Sequence, residues 1–143
     1  TRQLGGAVDY LLDHEAVTSY TVGAVGFCMG GGFVLWLAAQ HTGDISVAVP
    51  FYGVGPAVPD SYSEVSATVC GHYAEHDAFY PVADARALEQ QIRAEAEEAD
   101  VTFYYYPAGH AFHNEQNHLG TYDAASADLA WSRTVDALRA GVT

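Results

Sequence analysis

The chain has 143 residues, half of them hydrophobic, a length and composition that suit one domain with its own core. Eighteen acidic side chains face five arginines and no lysine, giving a formal net charge of −13, so nucleic acid and anionic membranes are not expected partners. No apolar run approaches the roughly 18 residues that a membrane-spanning helix needs, and no secretory leader is read at Thr1.

Taken in order, Leu4, Ala7, Val8, Leu11 and Leu12 recur at helical spacing and predict a helix over Leu4–Ala16, ended by Thr18-Ser19-Tyr20. Thr21–Phe27 reads as a short apolar strand and Gly30–Gln40 as an apolar helix. Between them stands Gly26-Phe27-Cys28-Met29-Gly30, the cysteine form of a strand-turn-helix nucleophile elbow. A side chain at the tip of so tight a turn has a strained backbone and crowded neighbours, and the flanking glycines, Gly26 and Gly30, remove the Cβ atoms expected to collide. The turn presents the Cys28 sulfur at a helix N-terminus, where the dipole favours thiolate, and makes the Met29 N–H a candidate oxyanion donor. The plainer reading of the same residues is a buried structural cysteine in a glycine-rich turn.

Ile45–Tyr52 is rich in β-branched residues and reads as a buried parallel strand ending at Gly53. Val54–Glu64 holds Gly55, Pro56, Pro59, Asp60 and Ser61 and reads as loop. Val65–Tyr73 is the third predicted strand, with Cys70 inside it as an inert core thiol. Ala74–Pro81 is a loop carrying Glu75, His76 and Asp77. Pro81 suits the first turn of a helix that runs to about Ala99. Val101–Tyr106 is the fourth strand, with Tyr104 and Tyr106 on one face and Tyr105 on the other. Pro107 to about Leu119 is loop, and Tyr122–Ala140 a last helix. Two lone cysteines make no disulfide framework and point to a reduced, cytoplasmic setting.

Strands alternating with helices predict an α/β fold, a mainly parallel sheet flanked by helices whose functional residues gather at the strands' carboxyl ends. Cys28 follows the first strand, Asp77 lies four residues past the third, and His110 four past the fourth. Nucleophile, acid and base thus occupy one sheet edge in the chain order of α/β-hydrolases. Glu75 is the rival acid. Tyr52 and Phe112 are expected to border the pocket as substrate-binding residues.

Four ordered motifs carry a resemblance: Gly26–Gly31 (GFCMGG), Phe51–Gly55 (FYGVG), Gly71–Pro81 (GHYAEHDAFYP) and Pro107–Phe112 (PAGHAF). With these the chain resembles the C-terminal two-thirds of the dienelactone hydrolase family of α/β-hydrolases, of the carboxymethylenebutenolidase type. The resemblance implies a Cys-Asp-His triad that opens a small ester or lactone through an acyl-enzyme, with Cys28 the nucleophile, Asp77 the orienting acid and His110 the base, and without metal or organic cofactor. It also implies an arginine four residues after the histidine, where this chain has Asn114. The family's preceding strands and oxyanion loop have no counterpart here, which would leave the side of the first strand open, so the expectation is either that the chain is a fragment or that a second chain or copy covers this edge. Two rival readings stand beside the enzyme: a non-catalytic remnant or binding module on a hydrolase fold, and a zinc site drawn from His110, His113, His118, His76 and Asp77.

Overall fold

The computed structural model describes residues 2–53 and 59–143. Of the Phe51–Gly55 motif, Val54 and Gly55 lie outside the described residues, as does Pro56 of the predicted loop.

The sheet has four parallel strands in the order β1 (Val22–Phe27), β2 (Ile45–Phe51), β3 (Thr68–Ala74) and β4 (Val101–Tyr106). Helices α1 (Arg2–Asp13), α2 (Met29–Gln40), α3 (Val82–Glu95) and α4 (Ala124–Gly141) alternate with the strands, as the α/β reading predicts. β1 is an edge strand: β2 pairs with one side of it, and no strand pairs with the other among the described residues.

The alternation of side chains along the strands sorts the core into two layers. Ala24, Ala48, Val69, Tyr73 and Phe103 pack under α1, α2 and α3. Val47, Val49, Phe51, Cys70, Ala74 and Tyr106 pack on the opposite face, under α4. Tyr104 and Tyr106 thus share one face and Tyr105 takes the other. Val47, Val49 and Phe51 are fully buried, each contributing roughly 1.5–3 kcal/mol of hydrophobic stabilisation. α2 is apolar all round because it is enclosed: seven of its twelve residues are buried against β1 and β2.

Element bounds depart from expectation where local hydrogen bonding competes with pattern. β3 begins at Thr68, not Val65; Val65 and Ala67 are buried in the core but lie outside the ladder. α1 stops at Asp13, three residues early, where the His14 ring accepts the Ala16 N–H. α3 stops at Glu95 instead of about Ala99, because Glu97, Glu98 and Asp100 would crowd the negative end of the helix dipole. Pro81 caps α3 from just outside, and Val82 is its first residue. α4 starts at Ala124 because the Asp123 carboxylate caps it, accepting the Ser126 N–H at 2.8 Å.

Candidate active site

Four connections leave the carboxyl ends of the four strands and meet at one edge of the sheet. The first is the elbow. Cys28 sits between β1 and α2 with φ 54° and ψ −123°, a strained conformation held from both sides. Its N–H donates to the Phe51 carbonyl at 3.0 Å, and its carbonyl accepts the Gly31 N–H at 2.9 Å. A Cβ on Gly26 would lie 2.1 Å from the Gly30 carbonyl oxygen, so the first glycine is sterically required. The second is not: a Cβ on Gly30 would meet nothing within 4 Å. The glycine needed on the helix side is Gly31, whose Cβ would come within 2.6 Å of the Gly53 Cα where the two connections cross. The expected pairing of Gly26 with Gly30 is corrected to Gly26 with Gly31, since crowding comes from the neighbouring connection and not from the turn alone.

The other connections bring the polar partners. His110 Nε2 lies 3.2 Å from Cys28 Sγ, and His110 Nδ1 lies 2.8 Å from Asp77 Oδ2. The side chains of His110 and Asp77 are only 10% and 2% exposed, so the pair is shielded from bulk water. The second Asp77 oxygen accepts the Phe79 and Tyr80 N–H groups, both at 2.8 Å, which fixes the carboxylate before it meets the imidazole. Across the loop, the Thr121 hydroxyl donates to the His110 carbonyl and anchors that backbone. Glu75, the rival acid, is exposed and uses its backbone N–H to bond Tyr106. Met29 is the first residue of α2, so its N–H has no partner within the helix and is available beside Cys28.

A cavity of about 360 Å³ opens beside Cys28. Phe27, Tyr52, Ala111, His113, Asn114 and Glu115 line it with Cys28. Tyr52 is therefore where it was expected. Phe112 is not: it is fully buried, packed beneath Tyr52 at 5.3 Å between ring centroids and against Tyr106 at 5.0 Å. The reason is Ala111, whose φ of 59° turns the loop so that residues 111 and 113 face the cavity and residue 112 the core. Cys28, Tyr52 and Ala111 all combine a positive φ with a place on the cavity wall, a concentration of strain typical of built sites.

Burial pushes the Tyr52 hydroxyl well above its usual pKa, helped by the nearby Cys28 sulfur and opposed by the His113 N–H, so it stays protonated. Burial likewise pushes the Cys70 thiol up to about 11. Cys70 and Cys28 are both free thiols, but only Cys28 is exposed. Among the described residues no group of three or more His, Cys, Asp or Glu side chains is arranged to hold a metal ion. His118 bonds Gln116, and His113 packs among Phe27, Phe51 and Trp131.

Phe27, Ala111, His113 and Glu115 were not singled out as wall residues from the sequence; His113 was weighed only as a metal ligand. The places of His113 and Glu115 follow a turn angle at a non-glycine residue, Ala111, for which composition gives no signal, and Phe27 ends β1 beside Cys28. A thiol, an imidazole and a carboxylate in series form a unit able to take up, hold and return one proton beside a nucleophile.

The chain is similar to proteins of known family and fold. Residues 1–141 match the sequence profile of the dienelactone hydrolase family. The chain is 32% identical to a Bradyrhizobium protein named "probable 2-oxo-3-(5-oxofuran-2-ylidene)propanoate lactonase", over 96% of this chain and 58% of that one. It is 30% identical to the carboxymethylenebutenolidase of Rhodococcus opacus, over 90% of this chain and 54% of the relative. Among solved structures, a dienelactone hydrolase-like promiscuous phosphotriesterase from metagenomic libraries superposes with a TM-score of 0.83 at 21% identity, covering 99% of this chain and 61% of that one. The chain thus spans little more than half the length of these relatives.

Proposed function

The chain belongs to the dienelactone hydrolase family, and from that premise we propose that it hydrolyses a small carboxylic ester or lactone through a thioester formed on Cys28. The observation that carries this reading is the unbroken series Cys28–His110–Asp77, with contacts of 3.2 and 2.8 Å.

Each step follows from the contacts. His110 takes the Cys28 proton at Nε2, and the Asp77 carboxylate, bonded to Nδ1–H, fixes the tautomer and stabilises the resulting imidazolium. The thiolate attacks the carbonyl carbon. Negative charge gathers on the carbonyl oxygen, where the Met29 N–H is available to donate. The C–O bond breaks, His110 returns its proton to the leaving oxygen, and the acyl group stays on sulfur. For a lactone the leaving alcohol remains tethered to the acyl group. Water then enters; His110 accepts its proton as the oxygen attacks the thioester, and the thiol is restored as the acid departs. Neither half-reaction requires a metal or organic cofactor. A thiol nucleophile also suits the reducing, cytoplasmic setting read from the two unpaired cysteines.

The test is esterase activity on 4-nitrophenyl acetate for the parent chain and for Cys28→Ala. The variant is expected to lose at least about 10³-fold in kcat/KM. Equal activity in the two proteins would support a non-catalytic binding module on a hydrolase fold instead.

A further inference from the structure

The segment that follows His110 turns back onto it. The Asn114 N–H donates to the Ala111 carbonyl at 2.9 Å, the Asn117 N–H to the Asn114 carbonyl at 2.9 Å, and the Gly120 N–H to the Asn117 carbonyl at 3.0 Å. Asn117 and Gly120 are residue types that accept the positive φ found at each, 51° and 69°. The Asn117 side chain then accepts the Tyr122 N–H at 2.8 Å, and the Asp123 N–H donates to the Phe112 carbonyl at 3.0 Å. Residue 121 is thereby returned to residue 110, eleven positions away, where the Thr121 hydroxyl donates to the His110 carbonyl. The threonine methyl group is used as well. It lies against Gly109, where an added Cβ would come within 2.8 Å of Thr121 Cγ2. Gly109 does not have a positive φ, so room for Thr121, not backbone freedom, calls for glycine there.

The carbonyl that Thr121 holds belongs to the peptide plane between His110 and Ala111. That plane is rigid, so its orientation sets ψ of His110 on one side and φ of Ala111 on the other. Ala111 has φ 59°, a conformation that an alanine leaves for negative φ unless its surroundings hold it. A plane free to rotate would let Ala111 relax and would release the backbone that carries the imidazole. The imidazole has two partners to reach at once, Asp77 Oδ2 at 2.8 Å and Cys28 Sγ at 3.2 Å.

Resting on the hydrolase reading above, we propose that Thr121 is a positioning residue for the base: its hydroxyl locks the His110–Ala111 peptide and so holds the imidazole between Asp77 and Cys28. Thr121 does not line the cavity beside Cys28, so its effect passes through His110.

Two substitutions separate the hydroxyl from the shape of the side chain. Thr121→Val keeps the branched shape and loses the hydroxyl; Thr121→Ser keeps the hydroxyl. Urea midpoints establish that each variant is folded. The first readout is the far-downfield proton resonance of His110 Nδ1–H bonded to Asp77, assigned by its absence in His110→Gln. It is expected in the parent and in Thr121→Ser, and lost in Thr121→Val. The second is hydrolysis of 4-nitrophenyl acetate. Thr121→Val is expected to lose about 10- to 100-fold in kcat with KM within about twofold of the parent, and Thr121→Ser to stay within about threefold in kcat. Gly109→Ala pushes Thr121 away without altering it, and is expected to reproduce the loss; it decides the question should Thr121→Val fail to fold, and parent behaviour in it overturns the proposal. A Thr121→Val that keeps either the resonance or the parent kcat also overturns it, as does a Thr121→Ser impaired as far as Thr121→Val. Absence of Cys28-dependent turnover in the parent would remove the hydrolase reading, while the resonance would still decide whether Thr121 holds the imidazole.

Discussion

Cys28 and Cys70 are the same chemical group in opposite surroundings. Cys28 stands exposed at a helix N-terminus against an imidazole; Cys70 is buried in β3, its thiol pushed up to about 11 by burial. The Asp77 carboxylate is the hydrogen-bond partner of His110 Nδ1. Asp77→Asn can keep the bonds from Phe79 and Tyr80 but would offer His110 Nδ1 an N–H in place of an acceptor. The proton then moves to Nε2, where the Cys28 thiol needs an acceptor. Esterase kcat is expected to fall by about 10²- to 10⁴-fold with the melting temperature unchanged; a drop in melting temperature at full activity would point to a purely structural carboxylate. Another imidazole, His72, had no signal in the sequence because its partners lie 34 and 62 residues away. Arg133 donates to the Tyr106 hydroxyl, which donates to His72 Nδ1; Nε2–H donates to the Thr134 hydroxyl, which donates to the Ala130 carbonyl. Every group in that chain is satisfied when His72 is neutral, and burial, with Arg133 nearby, lowers its pKa to about 3. The folded value lies below the unfolded one of about 6.5, so the unfolded chain binds the extra proton, and stability is full above about pH 6.5 and declines as pH falls towards 3. Between pH 7 and 5 the parent should lose about 2 kcal/mol more than His72→Gln in urea unfolding. Parallel losses in the two proteins would show that this imidazole does not set the pH dependence.

At the scale of elements, the elbow is a crossing of two connections, not a turn that stands alone. Gly31 and Gly53 touch there, so the β1–α2 turn and the residues after β2 fix each other. Gly26→Ala forces a Cβ onto backbone 2.1 Å away and should cost about 3 kcal/mol or more, with loss of Cys28 geometry. Gly30→Ala enters open space in a helix and should stabilise by about 0.5–1 kcal/mol. Denaturant midpoints of the two variants check this; equal costs would mean that both flanking glycines are needed after all. Spacing locates the turn and its cysteine and rightly marks Gly26 as crowded; on the helix side it marks Gly30 where Gly31 is the crowded glycine, since that collision involves a residue 22 positions downstream. Strands were legible because period-two alternation and β-branched residues leave a strong pattern. The ends of α3 and α4 were not, because dipole and capping effects, set by Glu97 and Asp123, override the apolar period near a terminus. Phe112 was misplaced for a related reason: alternation rules end with the strand, and the positive φ of Ala111 reverses which loop side chains face inward.

At the scale of the whole molecule, topology made the candidate site legible. Parallel strands deliver every carboxyl end to one edge, so three residues separated by 49 and 33 positions could be grouped before any coordinate was known. Charge acts at the same scale. The value of −13 makes chains repel one another at neutral pH, while β1 leaves one edge of the sheet without a partner strand among the described residues. As pH falls from 7 to the isoelectric point near 4.5, that repulsion vanishes and light scattering should rise sharply. Scattering unchanged across that range would mean that the edge is already protected. The central claim concerns the sulfur itself. Mixing the chain briefly with 4-nitrophenyl acetate, quenching in acid and sequencing the peptides by mass spectrometry should find one acetyl group on Cys28 and none on Cys70. Turnover without any acyl adduct on Cys28, undiminished in Cys28→Ala, would contradict the account.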